Sequence, residues 1–371
     1  MTDVGLWKFA SINPLTPEFS GLPVGTEVEF LPLENIWADG KADYAGRKKV
    51  GTDSSYTQFR SGDILVPKVT PTVFHGRSMI ADIEGEVGLA TSEVHVLRAK
   101  SNADPRWLTY QMLTARFLDE ARGNVLGVAG LKRISTQYLT SYKVEDTPLE
   151  TQRRIADYLD TEISEMDALI EEFEGLIASL GSRRRVFAAN LVQADQYPLV
   201  PLSTVVSMNS GDSISSDAIR EIDDYPVYGG NGLRGYTNIF NSETECVLIG
   251  RQGALCGNVH RVRPRFFATE HALVVKPKQD VNLIWLEHAL REMNLGELST
   301  SVAQPGITAT KVLFQRIHLP PLREQEEIAQ RLQKEISKID ALIEESTQLI
   351  ESLKARKTAL ITEVVTGRKE V

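Results

Sequence analysis

The sequence predicts a mixed α/β (α+β) protein in which two globular domains alternate with two long α-helices. The helices are expected to pair as an antiparallel two-helix coiled coil in an elongated, pseudo-two-fold molecule. Three observations carry this. Glu162 to Glu172 read EISEMDALIEE, and Glu335 to Glu345 read EISKIDALIEE, 173 positions later. Apolar residues around both copies recur at alternating steps of four and three, the seam of a coiled coil. Between the copies, short runs of Val, Ile, Thr and Tyr are split by Gly, Pro, Asn and Asp, as in mixed domains with many loops.

The repeat extends beyond its opening residues. PLETQRRIADYLD from Pro148 aligns with PLREQEEIAQRLQ from Pro321 at the same offset, so a duplicated unit is the natural reading. Proline at the front suits a helix start, and acidic and amide residues follow it. In the first copy the seam is Leu159, Ile163, Met166, Ile170, Phe173, Ile177 and Leu180, then Phe187 and Leu191. In the second it is Leu332, Ile336, Ile339, Ile343, Ile350, Leu353, Leu360 and Val364, with Ser346 in place of Phe173. Arg184 and Lys357 interrupt the two seams at equivalent positions. Each helix would be roughly 60–65 Å long, and alone would leave its apolar stripe wet. Packing on each other is the expected solution; two separate amphipathic helices are the alternative.

The expected organisation is a first domain over 1–146, a first long spacer helix over 147–195, a second domain over 196–319 and a second long spacer helix over 320–371. The domains share faint similarities. GDILVPKVTPTV from Gly62 is laid out like ECVLIGRQGALCG from Glu245, which pairs Lys68 with Arg251. ATSEVHVLRAK from Ala90 resembles ATEHALVVKPK from Ala268, and GLKRIS precedes the first helix as GITATK precedes the second.

The chain has 371 residues, 42% hydrophobic and 25% charged, with a net charge of −9. The acidity lies mainly in the first repeat, where residues 147–195 carry 5 basic against 10 acidic side chains. The segments 1–146 and 196–320 are near neutral, at 16 against 18 and 11 against 12. A local basic face is compatible with that balance. No apolar run approaches the length that spans a bilayer, the N-terminus lacks a signal-peptide layout, and two cysteines are too few for a disulfide framework. A cytoplasmic protein is expected.

Catalytic motifs are not found. GGNGLRG lacks the lysine and hydroxyl of a phosphate loop, and no N/D-P-P-Y/F methyltransferase motif occurs. Cys246, Cys256 and His260 form a loose C-x9-C-x3-H whose spacing is unlike zinc pairs; buried cysteines are the better reading. No catalytic residue and no metal ligand is assigned.

The whole layout resembles a specificity subunit of a type I restriction–modification system. The PLETQRRIADYLD and PPLREQEEIAQRL openings, the IDALIEE-type helices, YPVYGGNGLRGYTN from Tyr225 and VLIGRQGALCGNV from Val247 carry the resemblance. It implies two target-recognition domains reading a bipartite double-stranded DNA site, one half-site each. It implies two modification (methyltransferase) subunits and restriction (translocase/nuclease) subunits as partners, in phage defence. S-adenosylmethionine, ATP and Mg²⁺ would belong to those partners, with no cofactor on this chain. A coiled-coil assembly scaffold without DNA binding is the alternative.

Residues suited to DNA contact follow from their chemistry. In the second domain, Asn231 has an amide that can pair with adenine, and Arg234 can grip guanine or a phosphate. Tyr228 and Tyr236 flank that loop, where they would stack or fill gaps. Arg251 and Gln252 stand on a second glycine-bounded turn. Lys311 lies before the second helix. Arg261, Arg263 and Arg265 alternate as in a strand and are expected on one face. In the first domain Arg47, Lys48 and Lys49 form the densest basic stretch, with Ser54 and Tyr56 nearby. Lys68, Lys132 and Arg133 match the second domain's loops. For each, a solvated surface side chain is the competing reading.

Overall fold

The two repeats fold as helices of 44 residues each, Leu149–Val192 and Leu322–Val365. The structure is a computed structural model that describes residues 2–37, 42–44, 46–51, 55–70, 72–126, 132–193, 195–299 and 305–371. The chain divides into two compact units. The first comprises Met1–Glu174 with Thr347–Val371, and the second Gly175–Ser346. Each unit therefore holds part of both helices.

In the first unit a four-stranded antiparallel sheet orders Ala10–Ile12, Val94–Ala99, Ile64–Pro67 and Met79–Ile80. A second sheet orders Gly46–Lys49, Glu27–Leu31, Val87–Ala90 and Thr57–Arg60. Its two middle strands are parallel, with Phe30 opposite Leu89 and Leu31 opposite Ala90. The second unit repeats the plan. Val206–Ser210, Ala272–Pro277, Cys246–Gly250 and Val259–Val262 form its four-stranded antiparallel sheet. The hairpin Tyr225–Gly229/Gly232–Thr237 adds to Phe267–Ala268, again through one parallel pairing, Val227 to Phe267 and Tyr228 to Ala268. The first domain thus has a topological counterpart of the YGGNG hairpin, formed by Glu27–Leu31 and Gly46–Lys49, although its sequence shows none.

One glutamine per unit ties the short helix of the domain to the start of the long helix. Gln152 Oε1 accepts from Asp104 N at 2.9 Å, and its Nε2 donates to Thr147 O at 2.7 Å. Gln325 Oε1 accepts from Asn282 N at 2.9 Å, and its Nε2 donates to Pro320 O at 2.9 Å. Both side chains are buried. Asp104 and Asn282 in turn cap the helices Pro105–Leu113 and Leu283–Arg291 through their side chains. Burying an unpaired amide costs about 1–3 kcal/mol, so a pocket that satisfies both ends of the glutamine holds the junction in one geometry.

The seam residues are all buried or half-buried along both helices. Leu159, Ile163, Met166, Ile170, Leu180, Leu332, Ile339 and Ile350 are buried. Phe173, Ile177, Ile336, Ile343 and Leu353 are half-buried. In the first unit Leu159, Ile163 and Met166 share a core with Leu360, Ile361 and Val364, and with Trp107 and Met112 of the domain. In the second, Ala188 and Val192 share a core with Ile328 and Leu332, and with Trp285 and Leu290. The start of one helix meets the end of the other in both, so the pairing is antiparallel and the separate-helix alternative is set aside. Ser346 sits in the seam with its hydroxyl donating to Leu342 O at 2.7 Å, a local bond that lets a polar residue be buried.

The two basic interruptions are paired, each inside its own unit. Lys357 donates to both carboxylate oxygens of Asp167 at 2.7 Å, and Arg184 donates to Asp340 at 2.6 Å. Lys357 is Arg184 carried forward by the 173-residue repeat, and Asp340 is Asp167 carried forward by the same step. The aspartate of each DALIEE motif therefore neutralises the cation that breaks the opposite seam.

His95 is buried on its strand. Its Nε2 donates to Ile134 O at 3.1 Å, and its Nδ1 accepts from Asn13 Nδ2 at 3.1 Å. Burial, the largest cause, lowers its pKa from 6.5 to about 4.

Two outcomes are expected. The Lys357–Asp167 side chains are 17% and 32% exposed, against 47% and 48% for Arg184–Asp340. Asp167→Ala should cost about 1–3 kcal/mol of unfolding free energy, and Asp340→Ala under about 1 kcal/mol. Denaturant unfolding of the two variants checks this, and equal losses would contradict the assignment. The second outcome concerns pH. The neutral ring of His95 is favoured in the fold, so the unfolded chain binds the extra proton between pH 6.5 and about 4. The stabilisation is complete above pH 6.5 and drains away as pH falls to about 4, up to about 3 kcal/mol. His95→Gln should flatten that part of the stability–pH curve; an unchanged curve would show that the ring is not the group responsible.

Candidate nucleic-acid interface

The hairpin Tyr225–Gly229/Gly232–Thr237 and the turn at Gly250–Gly253 meet because glycine lets their backbones touch. A Cβ on Gly230 would stand 2.5 Å from Gln252 O, and one on Gly250 would stand 2.0 Å from Gly230 O. Real Cβ atoms do not approach so closely, so no side chain fits at either position. Gly232 closes the hairpin with φ +89°, a left-handed conformation natural to glycine. Arg251 N donates to His271 O at 2.8 Å, and Ile307 N donates to Arg251 O at 2.9 Å, which fixes the second turn between strand and loop.

This contact gathers most of the second-domain residues singled out from the sequence. Asn231 and Arg234 are exposed on the hairpin, and Gln252 is exposed on the turn. Asn231 Oδ1 accepts from Asn258 Nδ2 at 3.1 Å. Gln252 Oε1 faces His271 Nδ1 at 2.7 Å. Arg251 is half-buried and donates through Nη1 to Ser210 Oγ at 2.9 Å. Asn258, His271 and Ser210 position these side chains, and nothing in their sequence spacing indicated it. Leu233 and Leu255 stand exposed on the hairpin and the turn, apolar groups of the kind that meet a thymine methyl.

The two tyrosines differ. Tyr228 packs edge-on against Phe266 with ring centroids 5.8 Å apart, in a small core with Cys246 and Leu248. Burial raises its pKa. Tyr228 fills a gap in the core. Tyr236 is half-buried and pairs through its backbone with Arg220. Lys311 belongs to the short helix Ala309–Leu313, and its Nζ donates to Leu298 O at 3.2 Å.

The arginine series Arg261, Arg263 and Arg265 does not form one strand face. The strand ends at Val262, and Arg265 takes a left-handed conformation with φ 64°, so the alternation stops before Arg263. Arg261 is held by Glu245 and by Glu287, the latter at 3.2 Å.

In the first domain, pairing between strands qualifies the basic stretch. Arg47 stands opposite Glu29, and Lys49 opposite Glu27; opposite charges in cross-strand positions attract. Arg47 also lines a cleft of about 400 Å³ with Glu18, Glu27, Glu29, Glu84 and Glu86. Lys48 points to the other face, where its ammonium lies 5.1 Å from the Phe30 ring and 5.2 Å from the Tyr56 ring. Those rings meet edge-to-face at 5.0 Å. Ser54 lies outside the described residues, as do the first two residues of GLKRIS.

Lys68 and Arg133 converge on one loop. Lys68 Nζ donates to Ser92 O at 2.7 Å, and burial lowers its pKa. Arg133 grips Glu93 through two bonds of 2.7 Å. Lys132, beside them, is exposed. The pairing of Lys68 with Arg251 is exact in the backbone. Lys68 N donates to Glu93 O and Ile134 N to Lys68 O, the counterparts of the Arg251 bonds to His271 and Ile307.

Cys246 and Cys256 are free, buried and in different clusters. Burial pushes the Cys246 thiol up to about 12. Among the described residues, no group of three or more His, Cys, Asp or Glu side chains is placed to hold a metal ion. No helix among them is long and apolar enough to cross a membrane.

Comparison with known proteins agrees with the sequence resemblance. Residues 196–352 match the family model for the type I restriction modification DNA specificity domain. The Type I restriction enzyme EcoprrI specificity subunit of Escherichia coli is 38% identical over 169 residues, 44% of this chain and 41% of that protein. The EcoEI specificity subunit, also of Escherichia coli, is 26% identical over 211 residues, 52% of this chain and 35% of that protein. The matches thus span less than half of those relatives' own length. A solved structure described as "Structural basis underlying complex assembly and conformational transition of the type I R-M system" is 17% identical. It matches with a TM-score of 0.79 over 99% of this chain and 98% of that one. The HsdS subunit from Thermoanaerobacter tengcongensis, also 17% identical, matches with a TM-score of 0.56 over 99% and 97%. At that identity the structural likeness is one of fold.

Proposed function

We propose that this chain, which carries a type I restriction–modification DNA specificity domain over residues 196–352, is the non-catalytic subunit that reads a bipartite double-stranded DNA site. Each unit reads one half-site. The observation that carries this reading is the internal duplication. Both units present a hairpin joined to a parallel strand, a basic residue in the same backbone position (Lys68 and Arg251), and a helix latched by an equivalent glutamine (Gln152 and Gln325). Two similar surfaces on one chain suit two half-sites. Different side chains on the same frame let the halves differ in sequence.

Methylation and cleavage belong, in this reading, to two modification (methyltransferase) subunits and to restriction (translocase/nuclease) subunits. S-adenosylmethionine, ATP and Mg²⁺ are bound there, and the assembly works on cytoplasmic DNA. The long helices supply a place for partners. Leu169 and Leu176 are exposed on the first, and their repeat equivalents Leu342 and Leu349 are exposed on the second. These leucines lie off the seam, so the pairing of the two helices does not use them.

Two results are expected. Arg234→Ala and Arg251→Ala should relax one half-site and leave the other intact, since a bidentate base contact contributes about 1–3 kcal/mol of discrimination. Mapping methylated sites in cells carrying the assembled system checks this, and equal relaxation of both halves would contradict the assignment. Leu169→Glu with Leu342→Glu should reduce co-purification of the modification subunit by about tenfold or more, because a charge cannot be buried unpaired in an apolar contact. Undiminished co-purification would place the partner elsewhere.

A further inference from the structure

The polar surface around the Gly229–Gly232 and Gly250–Gly253 turns is chemically one-sided. Asn231 Oδ1 accepts from Asn258 Nδ2 at 3.1 Å, so its own amino group is the end left for a ligand. Gln252 Oε1 faces His271 Nδ1 at 2.7 Å. With an oxygen opposite, that ring nitrogen carries the proton, and the Gln252 amino group is turned away from it. Arg234 is exposed, and Arg251 keeps donors beyond the one given to Ser210. A guanidinium has five N–H donors and no acceptor. The acidic neighbour, Glu270, lies toward the other ring nitrogen, with Oε1 3.6 Å from His271 Nε2.

We infer that this surface takes the major-groove edge of guanine; the inference rests on the DNA-reading function proposed above. Guanine presents two acceptors there, N7 and O6. Outward-facing amide N–H₂ groups and guanidinium donors match both. Adenine presents N7 beside a donating amino group, and an Asn or Gln reads it by offering oxygen and nitrogen together. Asn231 and Gln252 have their oxygens engaged by Asn258 and His271, so the adenine pairing expected of the Asn231 amide from sequence is disfavoured. Cytosine offers a donor on that edge, and thymine a single acceptor beside its methyl group. The neighbours of the reading side chains thus decide which base fits, by choosing the end of each amide that faces outward.

The test uses the full chain assembled with its modification subunits. Bound duplexes are first selected from a randomised library to define the site. Each guanine of the half-site that is relaxed by Arg234→Ala is then replaced by 7-deazaguanine, which removes the N7 acceptor. The expected result is at least one guanine whose replacement weakens binding by between about 5-fold and 150-fold. Asn258→Asp is the second measurement. Its carboxylate can only accept, so the Asn231 amino group turns toward it and the oxygen turns outward, which should shift preference at one position from guanine toward a base that presents an amino donor, adenine or cytosine. A half-site without guanine, tolerance of 7-deazaguanine at every position, or an Asn258→Asp protein with unaltered preference would overturn the inference. Those outcomes are distinct from failure of the functional reading, in which Arg234→Ala and Arg251→Ala relax no half-site at all.

Discussion

Everything in this molecule depends on the burial of an apolar seam that neither repeat can complete alone. Leu159, Ile163 and Met166 are covered by Leu360, Ile361 and Val364, residues about two hundred positions away along the chain. The cores of both units are therefore long-range cores. The first domain follows the start of the chain, yet its helix face stays wet until the C-terminal helix arrives. Exposed apolar area costs about 25 cal/mol per Å², so the last residues of the chain are as much part of the first unit as its own strands. Duplication makes this economical: one helix design serves twice, because an antiparallel pair offers each copy the same partner.

The polar groups show how tightly the duplication constrains both copies. An antiparallel pair of related helices places any position of one repeat near a fixed position of the other. The largely buried cation at Lys357 calls for a carboxylate from the opposite repeat, which Asp167 supplies, and Asp340 gives the more exposed Arg184 the equivalent partner. Gln152 and Gln325 follow the same logic at the junctions. Each satisfies a helix-capping residue's backbone N–H and a carbonyl before the long helix. The charge pairs select the register, and the glutamines set how each domain joins its helix. Apolar packing supplies the driving force but is far less particular about direction.

The helices were legible because their period is a local property of sequence. The seam positions, the two cationic interruptions and the equivalence of Lys68 with Arg251 could all be read along the chain. What joins distant residues was harder to see. The Glu27–Leu31/Gly46–Lys49 hairpin shares topology but no motif with its counterpart, since strand pairing leaves no signature where the turn residues differ. Arg47 and Lys49 look like a free basic patch until the strand register sets Glu29 and Glu27 opposite them. Arg263 and Arg265 look like strand residues, but the strand ends at Val262 and the backbone at Arg265 is left-handed. Asn258 and His271 lie inside stretches the sequence singled out, but their part was invisible for the same reason: each matters through one side chain brought near by folding.

The candidate interface separates what must be invariant from what is free to vary. Gly230 and Gly250 allow two backbones to touch, which anchors the hairpin to a fully buried strand, Cys246–Gly250. Side chains at Asn231, Leu233, Arg234 and Gln252 project from that frame without taking part in its core. Substitutions there change the pattern of donors, acceptors and apolar groups while leaving the strand pairings and the glutamine latch in place. The first unit illustrates the outcome, with the same parallel pairing at Phe30–Leu89 but aromatic, acidic and basic residues on its hairpin. A frame fixed by backbone contacts, carrying side chains that fold stability hardly constrains, is the physical condition under which recognition can diverge between two halves of one chain.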